Sequence, residues 1–177
     1  MTNPAPTPQE KALKRVLTIS RLNGWSVIIV AGLGVLLALL LGDLSSVAIG
    51  LLGGASGVME VRGHRALKRR DAAGMKLLVR SQLFLLAIIL VYCVSRLGSF
   101  DADTVLGNLT PDMESVLREA GIERGEILQL VRQMFIALYC TVGVTCLIYQ
   151  GGLALFYRSK TPLVTEALAS PVIPPTQ

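Results

Sequence analysis

The chain has 177 residues, of which 52% are hydrophobic and only 16% charged, with a mean hydropathy of +0.59. Soluble globular domains carry about 25% charged residues, so the composition places the chain in the membrane class, and the length suits one compact unit rather than two domains. The net charge of +5 and the pI near 9.4 do not mark a nucleic-acid partner, because the basic residues are sorted by segment rather than gathered on one face.

Residues 1–22 read as a cytoplasmic segment. Residues 1–10 are rich in proline and are expected to be disordered. Lys11 to Leu22 then reads as a short basic amphipathic helix leading to Trp25, which belongs at the inner headgroup level. Four apolar runs follow: Trp25–Leu41, Leu44–Met59, Ser81–Ser95 and Met134–Tyr157. A helix needs about 20 predominantly apolar residues to cross a bilayer, and flanking Lys and Arg can snorkel outward to extend the shorter runs. The runs therefore predict spans at about 24–42, 44–61, 77–96 and 133–157, within a transmembrane domain covering 23–160. The first run is longer than a signal-peptide core and lacks a small-x-small cleavage site, so it is read as retained.

The first two spans form a tight hairpin turning at Leu41-Gly42-Asp43-Leu44. Small residues recur every four positions along both arms: Gly34, Ala38 and Gly42 on the first, Ser46, Gly50 and Gly54 on the second, with Gly53 and Gly57 as a further stripe. Lipid offers no hydrophobic drive between helices, so close backbone approach through small residues supplies the packing. Such stripes serve either a dimer face or, as preferred here, closure of the hairpin itself. The next loop is strongly basic. Arg62, Arg65, Lys68, Arg69 and Arg70 are candidates for contact with anionic lipid head groups at the cytoplasmic face, although setting topology explains the same residues.

Beyond the third span lies an outer loop, 97–132. Thr110-Pro111 is a helix start, and Met113, Val116, Leu117 and Ala120 share one apolar face, so a short amphipathic helix is expected here, capping the outer end. Residues 161–177, rich in proline at their end, are expected to be a disordered cytoplasmic tail.

Thirteen of the seventeen basic residues lie before the first span, between the second and third, or after the fourth. By contrast, 97–133 holds seven of the twelve acidic residues and only three arginines. Cytoplasmic loops carry the Lys/Arg excess, which puts both termini in the cytoplasm and the protein in the plasma (inner) membrane. The expected fold is thus an all-α, integral membrane four-helix bundle with a short amphipathic extracytoplasmic helix.

Polar side chains within spans are costly and are functional candidates by default. Glu60, Arg80, Gln82 and Gln150 cluster by depth towards the cytoplasmic end, with a Glu60–Arg80 ion pair reachable across the second and third helices. The cluster reads either as a structural clasp or as the inner gate of a channel. Cys93 and Cys140 share a depth and either pair or simply pack. His64 falls among like charges and is expected to be solvated. Neither a metal-ligand set, a cofactor motif nor a catalytic constellation is legible. The reading is a non-enzymatic scaffold or accessory subunit, acting as a homo-oligomer or within a larger membrane complex, with a small oligomeric channel or carrier as the alternative. In layout (basic N-terminus, glycine-rich hairpin, basic loop, two further spans) the chain loosely resembles the small accessory subunit I of bacterial ATP synthases. It departs from that pattern in its long acidic outer loop and in a third span without an internal carboxylate.

Overall fold

The computed structural model describes residues 7–101, 112, 115–116, 119, 121 and 124–170. Among them all regular structure is helical. There are four long helices: α1 (Pro8–Leu40), α2 (Leu44–Lys68), α3 (Ala73–Gly98) and α4 (Arg124–Ala169). Each is long and apolar enough to span a membrane. Of the outer-loop helix expected near Thr110, only Asp112, Ser115, Val116 and Glu119 are described, and they are helical. Met113, Leu117 and Ala120 lie outside the described residues.

The helix ends follow from local chemistry. Thr7 caps α1 through a capping box: its hydroxyl accepts from the Glu10 N–H at 3.3 Å while the Glu10 carboxylate accepts from the Thr7 N–H at 2.9 Å. Pro8 follows at a first-turn position where its missing N–H costs nothing. The basic segment and the first span are therefore one unbroken helix of 33 residues. At its far end Gly42 adopts φ +71°, and the Gly42 and Asp43 N–H groups donate to the Leu39 and Ala38 carbonyls. That is a Schellman turn, in which glycine supplies the left-handed residue at no steric cost. Asp43 then caps α2, its carboxylate accepting from both N–H and Oγ of Ser46. The end of α2 repeats the Schellman pattern with Arg70 in the left-handed position, at φ 61°.

Residue contacts divide the chain into two compact units, one of Met1–Ile88 with Leu147–Gln177 and one of Ile89–Cys146. In the second unit the aromatic rings of Phe100, Phe135, Tyr139 and Tyr92 form a chain of tilted and edge contacts, with Arg96 over the Tyr92 ring. Cys93, Cys140 and Cys146 are all free thiols.

The first unit buries its side chains at the end where the basic residues lie. Val16, Leu67, Met75, Leu78, Tyr157 and Val164 form its apolar core. The most apolar stretch of α1 is instead exposed, including Leu33, Leu36, Leu37 and Leu40. In water that would be an inverted protein. The tail expected to be disordered from residue 161 is helical to Ala169, despite Pro162 in the helix interior. A proline there forfeits a backbone hydrogen bond and strains the helix, but Val164 and Ala167 are buried, and tertiary contact outweighs the local penalty. Residues 171–177 lie outside the described set.

Close approach between helices occurs at a subset of the glycines. A Cβ at Gly57 would meet Ile28 Cγ1 at 2.8 Å and the Gly24 carbonyl at 3.1 Å, and Gly50 faces Val35. Gly53 and Gly54 lie near the Ala31 Cβ, and Ala38 is buried. Gly34 faces open space, Gly42 serves the turn and Ser46 serves the α2 cap. The tightest approach of a glycine to another helix's backbone joins α2 to α3, where Gly63 and Gly74 meet.

Candidate functional site

At the basic end of the first unit, polar groups from three helices meet around one carboxylate. Glu60 is on α2 and only 1% exposed. Its Oε1 accepts from the Tyr157 hydroxyl of α4 at 2.9 Å, and its Oε2 accepts from Asn23 Nδ2 of α1 at 2.6 Å. Asn23 Oδ1 in turn accepts from the Tyr149 hydroxyl at 3.1 Å. Helical spacing places these groups together. Asn23 and Gly24 share the buried face of α1 with Ser20 and Val16, and Tyr149 and Tyr157 stand about two turns apart on α4. Small Gly24 lets the Glu60 stem approach, since a Cβ on it would lie 3.4 Å from the Glu60 Cβ.

Of the residues expected to form the intramembrane polar cluster, Glu60, Gln82 and Gln150 are buried and Arg80 is exposed. The Glu60–Arg80 ion pair is not formed. Both carboxylate oxygens are satisfied by neutral donors, and the Arg80 guanidinium reaches solvent on its long flexible stem, where it avoids desolvation. Gln82, on α3, is buried, and neither end of its amide has a hydrogen-bond partner. The Gln150 Oε1 is likewise buried and unpartnered, on the same face of α4 as Ala154 and Tyr157. Buried amides in this condition are rare and call for an explanation.

One helical turn beyond Glu60, His64 is 8% exposed rather than solvated, and its Nδ1 lies 3.2 Å from Ser20 Oγ. The edge of the His64 ring lines a cleft of about 470 Å³ between α1 and α2, with Lys14, Arg21 and Lys68 around it and Leu13, Leu17 and Leu22 as its apolar wall. An adjoining hollow adds Trp25, Val61 and Arg65. Two of the five basic residues expected at lipid head groups, Arg65 and Lys68, thus line the groove. Arg62, Arg69 and Arg70 are exposed elsewhere, and Arg70 donates to the Ser170 carbonyl at 2.9 Å.

Sequence reading missed Asn23, Tyr149 and Tyr157. Asn23 sits just ahead of the first apolar run, and both tyrosines fall within the fourth, where an aromatic does not stand out. The chain matches no family model, no curated protein and no solved structure.

Proposed function

We propose that the chain is a multi-pass protein of the plasma (inner) membrane, with cytoplasmic termini, serving as a non-enzymatic scaffold or accessory subunit of a larger membrane complex or homo-oligomer. One observation carries this reading: the most apolar helix stretches are exposed while polar residues are buried. Lipid or a partner's helices are the surroundings in which that arrangement is stable, because lipid tails accept apolar surface and hydrogen-bonded polar groups hold the helices together. The distribution of basic residues supports the orientation, and the α1/α2 cleft is suited to an anionic lipid head group, with cations for the phosphate and leucines for the chain. The neutral network around Glu60 acts here as a clasp among α1, α2 and α4. Extraction in mild detergent, followed by native mass spectrometry, tests the reading: a stoichiometric partner or a defined oligomer is expected, and a lone monomer at every detergent strength refutes it.

A second reading, a small channel or carrier with this polar cluster lining its path, is favoured by the unpartnered amides of Gln82 and Gln150. Ion flux in liposomes that disappears on Gln150→Leu supports it, and an absence of flux removes it.

A further inference from the structure

We infer that the α1/α2 cleft and its adjoining hollow form one site for a single lipid phosphomonoester, whose phosphate sits where the two spaces meet, between Arg21 and Lys68. This deepens the lipid contact of the proposed function, and it rests on the chain being seated in a bilayer.

The two spaces share a wall. Arg21 of α1 and His64 and Lys68 of α2 border both the cleft of about 470 Å³ and the hollow of about 180 Å³ beside it, and Arg65 borders the hollow. The cleft alone falls within the roughly 300–1,000 Å³ of small-molecule sites. His64 is pinned to α1 through Ser20, whose Oγ donates to the Leu17 carbonyl at 3.3 Å and lies 3.2 Å from His64 Nδ1. That link holds the two helices at a set spacing across the junction.

Charge places the anion there. Arg21, Arg65 and Lys68 are exposed and bring three positive charges to the junction from two helices. The carboxylate on the cleft wall, Glu10, lies about 16 Å from Arg21 along α1 at about 1.5 Å per residue, and it accepts from the Thr7 N–H. A phosphodiester offers one charge and two terminal oxygens. A phosphomonoester carries about −1.5 to −2 at neutral pH and three such oxygens. It therefore matches three cations from two helices, with bidentate pairing open to the arginines.

Depth favours a lipid over free phosphate. The apolar run of α1 begins at Trp25 and that of α2 ends at Met59. Arg21 and His64 thus stand about 6–8 Å beyond the hydrocarbon by helical rise, and the headgroup layer is about 5–8 Å deep on each side of a bilayer. Leu22 and Trp25, both exposed, lie on the membrane side of Arg21, where they meet the upper acyl chain.

The test uses the full chain in nanodiscs of phosphatidylcholine doped with phosphatidic acid, a monoester, or phosphatidylglycerol, a diester. Trp25 lines the hollow and is the single tryptophan, so its emission reads occupancy, while native mass spectrometry counts the lipids each chain keeps. One retained phosphatidic acid per chain is expected, with a saturable Trp25 shift and a preference of about fivefold over phosphatidylglycerol, the worth of one further charge near a membrane surface. Arg21→Gln with Lys68→Gln is expected to abolish both the shift and the preference. Arg62→Gln with Arg69→Gln removes the same charge elsewhere and is expected to leave them intact. All four side chains are exposed, so both pairs are expected to keep wild-type helicity. Equal retention of the two lipids, retention without a Trp25 shift, or equal losses in both pairs would overturn the proposal. Inorganic phosphate that displaces the lipid at equal concentration would overturn it too, by making the ligand free phosphate. A chain that enters nanodiscs and keeps no phosphatidic acid sinks this site and leaves the membrane reading standing, whereas a chain that never enters them sinks both.

Discussion

Replacing a glycine by alanine is expected to act with opposite sign at two positions of this chain. At Gly74 a Cβ would stand 2.6 Å from the Gly63 carbonyl oxygen, 2.8 Å from Leu67 Cγ and 3.0 Å from Leu67 N. Two of these three atoms are backbone, so rotating a side chain cannot relieve the clash. The start of α3 must retreat from α2 by about 0.8 Å, and a gap of that order forfeits a quarter to a half of the dispersion attraction at the contact. Overpacking of this kind costs about 1–3 kcal/mol. At Gly34 a Cβ meets nothing within 4 Å. There the substitution only removes backbone freedom from the unfolded chain, worth about 0.5–1 kcal/mol in favour of the helix. Gly74→Ala is therefore expected to destabilise the protein and Gly34→Ala to stabilise it. Unfolding in mixed micelles by added anionic detergent, followed by helicity and by the fluorescence of Trp25, the single tryptophan, measures both. Were Gly34→Ala to destabilise as much as Gly74→Ala, another surface would have to pack on Gly34, and its facing open space would be refuted.

Three further outcomes are expected. Tyr157→Phe removes one of the two donors to Glu60, and interhelical polar contacts of this kind are worth about 0.6–2 kcal/mol; the same micelle titration reads the loss, and no change would mean that the network contributes nothing to stability. Paired Arg65→Gln and Lys68→Gln changes in the cleft are expected to lower the affinity for soluble anionic lipid head groups by about 2 kcal/mol, since each basic residue contributes about 1, with Arg62→Gln and Arg69→Gln as a control pair; equal losses in both pairs would make the effect one of net charge and not of the cleft. Thr7→Ala, which breaks the capping box at the start of α1, is expected to cost about 1 kcal/mol and to speed amide hydrogen exchange over the first turn only; protection left unchanged there would show that packing, not the cap, holds that end.

Much of the architecture was legible before any coordinates. Helix number, the hairpin turn at Gly42-Asp43 and the apolar stretches follow from composition and local rules: twenty apolar residues make a helix long enough for a bilayer, and glycine followed by aspartate ends one helix and caps the next. The T-x-x-E signature at Thr7 to Glu10 lies within the proline-rich 1–10 expected to be disordered, yet it starts α1 at Pro8, because proline is tolerated in a helix's first turn. At the site, Glu60, Gln82 and Gln150 were legible because a polar residue within an apolar run stands out by its cost.

What local pattern could not decide was who meets whom. That Gly63 and Gly74 make the tightest backbone contact, that Pro162 lies inside a helix, and that Glu60 is held by Asn23 and Tyr157 while Arg80 stays outside depend on how α1, α2 and the ends of α3 and α4 pack in the first unit. Partner choice is a matter of distance and desolvation between groups as far as 97 residues apart in the chain. A guanidinium near a helix end can always reach water, whereas a tyrosine hydroxyl aimed into the interior must find an acceptor.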